Sequence, residues 1–368
     1  MAPPKEKKQK LSTSETISPS LSKMKKKKNK RKKRVSKSLI TSSPSHSEKD
    51  LVNVEKAMKK QNDVAMFLTE KVISAVAKNS NFVFSPASIN AALTMVAASS
   101  KEEQLTSSIL SFLRSYSMDE LKAVFSEIAT IVLADGSASS GPKISNVNGA
   151  EEVREEVNAW ASSHTNGLIK VILPPGSVTS ETASIFGNAI YFKGTWEEKF
   201  PKSLTRHFDF HLLNGKSQYV EQYNGFKVLK LPFGQCGDIN RQYSMVASSS
   251  STLGFLDSHT PIKQVEVGVF RIPKFKIDFG FEASKAFNGL NLDSLSLNHK
   301  ALVEIDEDGA EAAAVTVIRC CSGGRGFSSG RRIDFVADHP FLFMIREDKT
   351  GTVLFVGQIF DPSKSASA

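Results

Sequence analysis

Patterns typical of helices occupy the first half of this chain, and patterns typical of strands occupy the second half. Apolar residues at helical spacing predict helices over 47–78, from Ser85 onward, over 101–113 and over 150–172. Segments rich in Phe, Val and Ile, punctuated by Gly, Asn or Asp, predict strands at 183–193, 226–233, 265–279, 301–306, 334–336, 341–346 and 352–360. Because helices and strands are segregated rather than alternating, the sequence indicates an α+β fold.

Local signals fix two helix ends. Ser85 followed by Pro86 is typical of a helix start, with serine as the N-cap and proline at the first helical position. Asn166-Gly167 is typical of a helix end, because both residues tolerate a left-handed backbone. Between the first two helices, residues 81–84 predict a short strand.

Length and hydropathy limit the possible classes of protein. The 368 residues with 40% hydrophobic content are enough for one large domain or two small ones. No apolar run approaches the roughly 18 residues of a spanning helix, and the charged first residues lack the apolar region of a secretory signal. We therefore expect no membrane segment and a location inside the cell, in the nucleus or cytoplasm.

The net charge of +10 is concentrated in the first 50 residues. These carry 16 Lys and Arg against 4 Asp and Glu, whereas residues 51–368 carry 32 against 34. The tail is too charged and too poor in apolar residues to fold alone, so we expect a disordered segment at 1–50 before a domain at 51–368. The dense block is a candidate nuclear signal or nucleic-acid contact, with a merely solvated tail as the alternative; it contains Lys25, Lys26, Lys27, Lys28, Lys30, Arg31, Lys32, Lys33 and Arg34.

Signatures of enzymes, metals and cofactors are weak in this chain. Three cysteines, Cys236, Cys320 and Cys321, form an odd and sparse set that predicts reduced thiols rather than disulfides. HExxH, CxxC and phosphate-binding-loop motifs are absent from the sequence. We therefore expect neither an enzyme nor a bound metal or cofactor.

Residues 303–318, VEIDEDGAEAAAVTVI, have conflicting local preferences. The run from Glu311 to Ala314 favours a helix, whereas the β-branched residues after it favour a strand. Laid out as a strand from Ala310, the segment places Glu311 and Arg319 on one face and only uncharged residues on the other. A strand with a buried face and a solvated helical turn both fit this pattern. The long loop 310–332 belongs to a class that is usually functional or disordered.

Five motifs in chain order resemble those of the serpin family. They read NFVFSPASI at 81–89, NAIYFKGTW at 188–196, FRIPKF at 270–275, EDGAEAAA at 307–314 and DHPFLF at 338–343. The sequence IDFVADHPF at 333–341 resembles that of the plant branch of the family. Together they span nearly all of the chain after residue 50.

The resemblance implies a monomer with three β-sheets, a helical N-terminal half and an exposed reactive-centre loop. Such a protein is a suicide substrate of serine or papain-like cysteine proteases. The protease cleaves the loop, and the segment after the hinge glycine, here Gly309, inserts as a new strand in the central sheet while an acyl-enzyme ester still links the two proteins. Small residues in the hinge then pass between strands without obstruction.

The resemblance also assigns individual residues. The hinge comprises Glu307, Gly309, Ala310, Glu311, Ala312, Ala313 and Ala314, with Lys274 as the candidate ion partner of Glu307. The shutter, a buried polar cluster beneath the sheet, comprises Ser85, Ser88, Asn188 and His339, and the breach, where insertion begins, contains Trp196. The favoured scissile bond is Arg325-Gly326, with Gly323-Gly324 as the alternative.

The likeness is interrupted in three places. A strand at 143–149 runs directly into the helix at Ala150, a barrel strand and helix are expected but not found after Met245, and residues 290–297 are short of the family pattern. The sequence therefore predicts that several core elements are missing and that the stability is lower than that of a full-length relative. The alternative function is a non-inhibitory interaction protein or degenerate paralogue whose basic tail binds an import receptor or nucleic acid.

Overall fold

The structure is a computed structural model, and it describes only part of the chain. The described residues are 53–132, 143–146, 149–180, 182, 184–192, 194–205, 217–234, 242–248, 259–287, 295–310, 332–362, 364 and 366–367. The predicted tail at 1–50, most of the long loop and all three cysteines lie outside them.

Within the described residues the chain forms six α-helices and one short 3-10 helix. The 3-10 helix is Lys202–Leu204, and the α-helices are α1 (Val54–Ala75), α2 (Pro86–Ser99), α3 (Glu103–Phe112), α4 (Met118–Val132), α5 (Ala150–His164) and α6 (Ala283–Ala286). None of the helices described is long and apolar enough to cross a membrane.

The helix ends follow local chemistry. Ser85 is the N-cap of α2, as predicted, and its hydroxyl oxygen accepts a hydrogen bond from the Ser88 N–H. The first helix starts later than the predicted 47–78, because the Asn53 side chain caps it at the Lys56 N–H. After α5 the chain turns through Asn166 at φ 50° and Gly167 at φ 78°, as the helix-end signal at these two residues predicted.

Fifteen strands are described. They are β1 (Phe82–Phe84), β2 (Lys143–Asn146), β3 (Ser184–Tyr191), β4 (Gly194–Thr195), β5 (Ser217–Tyr223), β6 (Phe226–Pro232), β7 (Tyr243–Ser248), β8 (Val265–Arg271), β9 (Phe275–Glu282), β10 (Leu295–Ile305), β11 (Gly309–Ala310), β12 (Ile333–Val336), β13 (Phe341–Glu347), β14 (Val353–Ile359) and β15 (Ala366–Ser367).

Two strand predictions need correction. The predicted strand at 265–279 is two strands, β8 and β9, because Pro273 between them has no N–H for a ladder hydrogen bond. The barrel strand expected to be missing after Met245 is present as β7, and all six of its residues are buried.

Hydrogen bonds join the strands into two networks. One runs in the order β1-β14-β13-β7-β6-β5-β8-β12. Strand β5 belongs to two sheets within it, because Ser217 and Gln218 pair with β8 while Tyr219–Tyr223 pair with β6. The three predicted sheets are therefore present, with two of them joined through β5.

The other network is the sheet that carries the hinge. Its order is β15-β9-β10-β11-β4, and β3 pairs in parallel with β10 and antiparallel with β2. Strand β2 has β3 as its one partner among the described strands and is followed by α5 from Ala150, as the first sequence gap predicted.

The two faces of this sheet pack against different apolar clusters. Alternate residues of β10, including Leu297, Ala301, Val303 and Ile305, belong to the main core together with α1 and α2. Leu302 faces the other way, into a smaller cluster that α5 covers with Val153 and Val157. Both faces of the central strands are therefore buried.

Candidate functional site

The hinge begins as a short strand that already lies between two strands of its sheet. Ala310 pairs antiparallel with Ile305 at the end of β10, and Gly309 and Ala310 pair antiparallel with Thr195 and Gly194 of β4. The first two hinge residues thus separate β10 from β4 in the uncleaved protein.

Only glycine fits at the first hinge position. Gly309 has φ +145°, and a Cβ atom on it would lie 2.1 Å from the Gly194 carbonyl oxygen and 2.6 Å from Thr195 Cα. Both neighbours are backbone atoms of a paired strand and cannot swing aside. The hinge glycine is therefore required by the close approach of β4 as well as by its own backbone angle.

Glu307 is held by three polar groups just before the hinge strand. Its carboxylate accepts a 2.7 Å hydrogen bond from the Thr205 hydroxyl and lies 3.1 Å from the Lys274 ammonium, the partner predicted from the sequence. Burial by itself raises the pKa of this carboxyl group, but the hydrogen bonds from Thr205 and the backbone, with the Lys274 charge, lower it overall. The ionised form is therefore the one that the site stabilises.

Asp308 contacts two lysines that sequence reasoning missed. The Lys202 ammonium lies 2.7 Å from one carboxylate oxygen, and the Lys199 ammonium lies 3.2 Å from the other. The hydrogen bond from Lys202, joined by Lys199, lowers the pKa of Asp308. Both lysines come from the segment after β4. This segment therefore contacts the residues just before Gly309 through ion pairs as well as through backbone hydrogen bonds.

Trp196, the residue predicted for the breach, lies beside the turn that leads to Gly309. Its indole N–H donates to the Asp306 carbonyl over 2.9 Å, and its backbone N–H donates to the Asp308 carbonyl over 2.9 Å. Its ring stacks on Phe233 at 4.5 Å. The buried indole therefore ties the turn that leads into the hinge to the neighbouring sheet.

Next to Ser85, one of the residues predicted for the shutter, lies a buried histidine that the sequence did not lead us to assign. His299 of β10 is 1% exposed, and its Nε2 accepts a 3.1 Å hydrogen bond from the Ser85 backbone N–H. Because Nε2 accepts, the neutral ring carries its proton on Nδ1. Ser88 is buried beside Ser85, and Asn188 of β3 lies opposite His299 in the strand register.

The assignment of His339 to this cluster was wrong. Its side chain is 80% exposed and lies 2.7 Å from the Asp338 carboxylate, in the turn between β12 and β13. The sequence did contain a signal for the correct residue, since His299 alternates with Leu297 and Ala301 on an apolar strand face. A single polar residue on such a face is typical of a buried hydrogen-bonded group.

Burial dominates the electrostatics of this histidine. It lowers the pKa of His299 to about 3. The rings of Phe84 and Phe281 pack around it with centroid distances of 6.4 Å and 5.6 Å, and among the described residues Nδ1 has no hydrogen-bond partner. The ring is therefore neutral at physiological pH.

Strands β3 and β10 share one register from the shutter to the hinge. His299 pairs directly with Asn188. Further along, Ala310 pairs with Ile305 on one side and with Gly194 on the other. The offset in residue number between Ile305 and Gly194 is the same as that between His299 and Asn188, so the pairs on either side of β11 keep the register of β3 and β10. A strand that continues from Ala310 therefore needs β3 and β10 to move apart sideways but not to slide along each other.

The remaining predicted site residues lie outside the described residues. They are Glu311, Ala312, Ala313 and Ala314 of the hinge, the two candidate scissile bonds Arg325-Gly326 and Gly323-Gly324, and the basic block from Lys25 to Arg34. Within the described residues, the His, Cys, Asp and Glu side chains form no group of three or more that could hold a metal ion.

Comparison with known proteins supplies the family. The family model described as "Serpin (serine protease inhibitor)" matches residues 132–362. The chain is 55% identical to "Probable non-inhibitory serpin-Z5" of Arabidopsis thaliana, over 98% of this chain and 99% of that protein, and 50% identical to "Serpin-Z2" of the same plant, over 99% and 98%. The first match extends over 433 aligned positions, more than the 368 residues of this chain, so the relative contains segments that this chain lacks.

Solved structures agree with this result. The structure described as "Structure of Arabidopsis AtSerpin1. Native Stressed Conformation" matches with a TM-score of 0.69 and 40% identity, over 85% of this chain and 99% of that one. An insect serpin, Serpin48 of Tenebrio molitor, shares the fold with a TM-score of 0.66 at 19% identity, over 86% and 100%. Hinge geometry, family model and relatives agree: this chain belongs to the serpin family, in its plant branch.

Proposed function

We propose that the protein inhibits serine or papain-like cysteine proteases by inserting its cleaved loop between β3 and β10. The observation that carries this proposal is the common register of the two strands around β11. The two hinge residues already paired there give the inserting strand its direction and its register. A strand that continues from them would lie between β3 and β10, which are in register with each other.

Extending that register predicts the partner of each inserted residue. Ala312 would lie between Val303 and Phe192, and Thr316 would lie between His299 and Asn188. The full set on the β10 side pairs Ala312, Ala314, Thr316 and Ile318 with Val303, Ala301, His299 and Leu297. All four of these β10 residues are buried at 1% exposure or less. Cross-strand neighbours point to the same face, so the uncharged face of the loop would enter the main core.

The alternate residues of the inserted strand, which include both charged ones, would lie on the other face of the sheet. Glu311 would lie beside Glu304, which is partly exposed, and Arg319 would lie on the same face further along. This proposed arrangement favours the strand over the helical turn, because a strand would place the small residues on one face and both charged residues on the other. A helical turn gives the small residues no comparable role.

The energy for trapping a protease comes from strand formation. Each added backbone hydrogen bond contributes about 1 kcal/mol net, so a strand of about ten residues releases on the order of 10 kcal/mol. The protease first forms an acyl-enzyme ester with the loop, and insertion then carries the attached protease away before water hydrolyses the ester. Arg325-Gly326 is the proposed scissile bond, since arginine fills an acidic trypsin-like specificity pocket.

A denaturing gel tests this function. The purified protein is mixed with trypsin and, separately, with a papain-like protease. A covalent band at the summed mass is the expected result, with sequencing of the released C-terminal peptide expected to begin at Gly326. Complete cleavage without such a band contradicts inhibition, and a first cut after Arg319 or Arg331 contradicts the scissile bond alone.

A second candidate function is a non-inhibitory binding protein directed by the basic tail. Two observations favour it: a relative at 55% identity is named as probably non-inhibitory, and this chain lacks segments that the relative contains. Deleting residues 1–50 separates the two functions. Inhibition should survive the deletion, whereas nuclear retention and salt-sensitive binding of nucleic acid should disappear if the tail carries them.

A further inference from the structure

The outer edge of β9 is covered by the last residues of the chain. Ala366 and Ser367 of β15 pair in parallel with Ile277 and Asp278 of β9. Among the described strands, β15 is the only neighbour of β9 on the side away from β10. Without β15, β9 would be the edge strand of the sheet that carries the hinge, with a row of unpaired backbone N–H and C=O groups.

A buried amide next to β1 holds the chain in place as far as Lys364. Asn81 is 6% exposed, and its side-chain NH2 group donates hydrogen bonds to the carbonyl oxygens of Asp361, over 2.7 Å, and Lys364. Its side-chain oxygen accepts hydrogen bonds from the backbone N–H groups of Phe360 and Asp361, over 2.7 Å and 2.9 Å. Residues 360–364 are therefore anchored, whereas the pairing of β15 beyond them rests on two residues. The residues after Lys364 can detach while the anchor stays.

The charges of β9 suit pairing with the β9 of a second copy. In a two-fold antiparallel pair centred on Ile277, Lys276 of each copy would lie opposite Asp278 of the other, which is a favourable cross-strand pair. Both side chains are partly exposed, at 48% and 39%. Phe275 would lie opposite Phe279, so the buried face of β9 would continue across the pair. Moving the centre by one residue in either direction would bring like charges together.

From these observations we infer that the outer edge of β9 is a surface for pairing with a second copy of this chain, and that the residues after Lys364 guard it. The two partners exclude each other, because the outward backbone groups of Ile277 and Asp278 can join only one neighbouring strand. Reciprocal charge pairs favour an identical strand over an unrelated peptide. The paired strands are short, so the dimer should be weak and should depend on concentration. The proposed loop insertion lies between β3 and β10 and does not involve this edge.

Sedimentation velocity over a concentration series tests the guard with variants of the full chain. Deleting residues 365–368 removes β15 and leaves the Asn81 contacts in place. Ala366→Pro/Ser367→Pro keeps the length but removes two backbone N–H groups. Ala366→Val/Ser367→Val favours a strand at the same positions and supplies the matched control. We expect the deletion and the proline variant to form a dimer as the concentration rises, and the unaltered protein and the valine variant to stay monomeric.

A charge reversal tests whether β9 forms the dimer. In the deletion variant, Asp278→Lys would place a lysine opposite Lys276 of the other copy, and we expect dimerisation to be at least about fivefold weaker. Asp63→Lys, at an exposed position of α1, makes the same change in charge and should leave the dimer unchanged. Hydrogen exchange of the deletion variant needs no further substitution: the peptide that contains Ile277 should exchange more slowly at high protein concentration than at low concentration.

Three results would overturn the inference: a deletion variant that stays monomeric up to its solubility limit, an unaltered protein that dimerises equally well, or a dimer in which neither Asp278→Lys nor the hydrogen exchange of β9 shows any effect. Circular dichroism verifies that each variant is folded, and the exchange measurement decides the question even if Asp278→Lys folds poorly. None of these results depends on whether the protein inhibits a protease.

Discussion

The backbone N–H of Ser85 donates a 3.1 Å hydrogen bond to Nε2 of His299, which ties the start of α2 to the middle of β10. This bond lies under the pair of strands that insertion would separate. It requires a neutral imidazole, because a protonated ring has no acceptor to offer. Protonation of His299 at low pH would therefore break this hydrogen bond between α2 and β10.

Stability should fall in acid because of His299. The unfolded chain binds a proton near pH 6.5, whereas burial lowers the pKa in the native protein to about 3. Between these values the unfolded state binds more protons, so the free energy of unfolding decreases as the pH is lowered through this window and is unaffected by this group above it. The slope from one such group reaches about 1.4 kcal/mol per pH unit.

Urea unfolding at pH 7, 6, 5 and 4 measures this slope. His299→Gln retains a hydrogen-bond acceptor but cannot titrate, so its free energy of unfolding should fall less steeply with acid than that of the unaltered protein. The exposed His339 supplies the control, and His339→Gln should keep the original slope. Equal slopes for all three proteins would contradict the buried, neutral His299.

The ion pair at the hinge should contribute more than a comparable pair nearby. Glu307→Ala leaves the Thr205 hydroxyl and Lys274 without their buried acceptor, and we expect it to cost about 1–3 kcal/mol of unfolding free energy. Glu304 of β10 also binds a lysine, Lys276, at 2.7 Å, but both groups are partly exposed. Glu304→Ala should therefore cost less than about 1 kcal/mol.

Chemical denaturation of the uncleaved variants tests this difference. Loss of equal stability in the two variants would mean that the hinge pair is no more than a surface contact.

The two faces of the inserting strand should tolerate substitution differently. Ala312 would be placed between Val303 and Phe192, both buried, so Ala312→Asp would force a charge into the core and stop insertion. Glu311 is the adjacent residue and would lie beside the partly exposed Glu304, so Glu311→Asp should leave insertion intact. The predicted result is that Ala312→Asp is cleaved by trypsin without forming a covalent complex, while Glu311→Asp still forms one.

This comparison places the same side chain at neighbouring positions, so the size and charge of the introduced residue are equal in the two variants. The reverse pattern, or covalent complexes from both variants, would show that the register does not continue from Ala310 as proposed.

The sequence predicted the parts of this site that depend on local chemistry. The Ser85 cap, the hinge glycine and the Lys274–Glu307 pair are carried by motifs, and each is present as expected. The parity of residues 310–319 is visible in the sequence itself as period-two alternation, and a strand register beyond Ala310 stays a prediction.

Contacts between distant segments could not be read in this way. Lys199 and Lys202 reach Asp308 only because β4 folds back beside the hinge, and nothing in their local sequence indicates it. The choice of His339 over His299 failed for a similar reason, because a short motif was given more weight than the alternation of buried positions along β10. The sharing of β5 between two sheets is likewise not indicated by any single segment of the sequence.

The most direct test of loop insertion compares unfolding of the protein before and after a single cut in the loop. Insertion of about ten residues adds on the order of 10 kcal/mol, so the account predicts that the cleaved protein unfolds more than about 10 °C higher than the intact one. The measurement is a thermal scan by circular dichroism, with mass spectrometry to verify the cut. A cleaved protein that unfolds at the same or a lower temperature would contradict strand insertion.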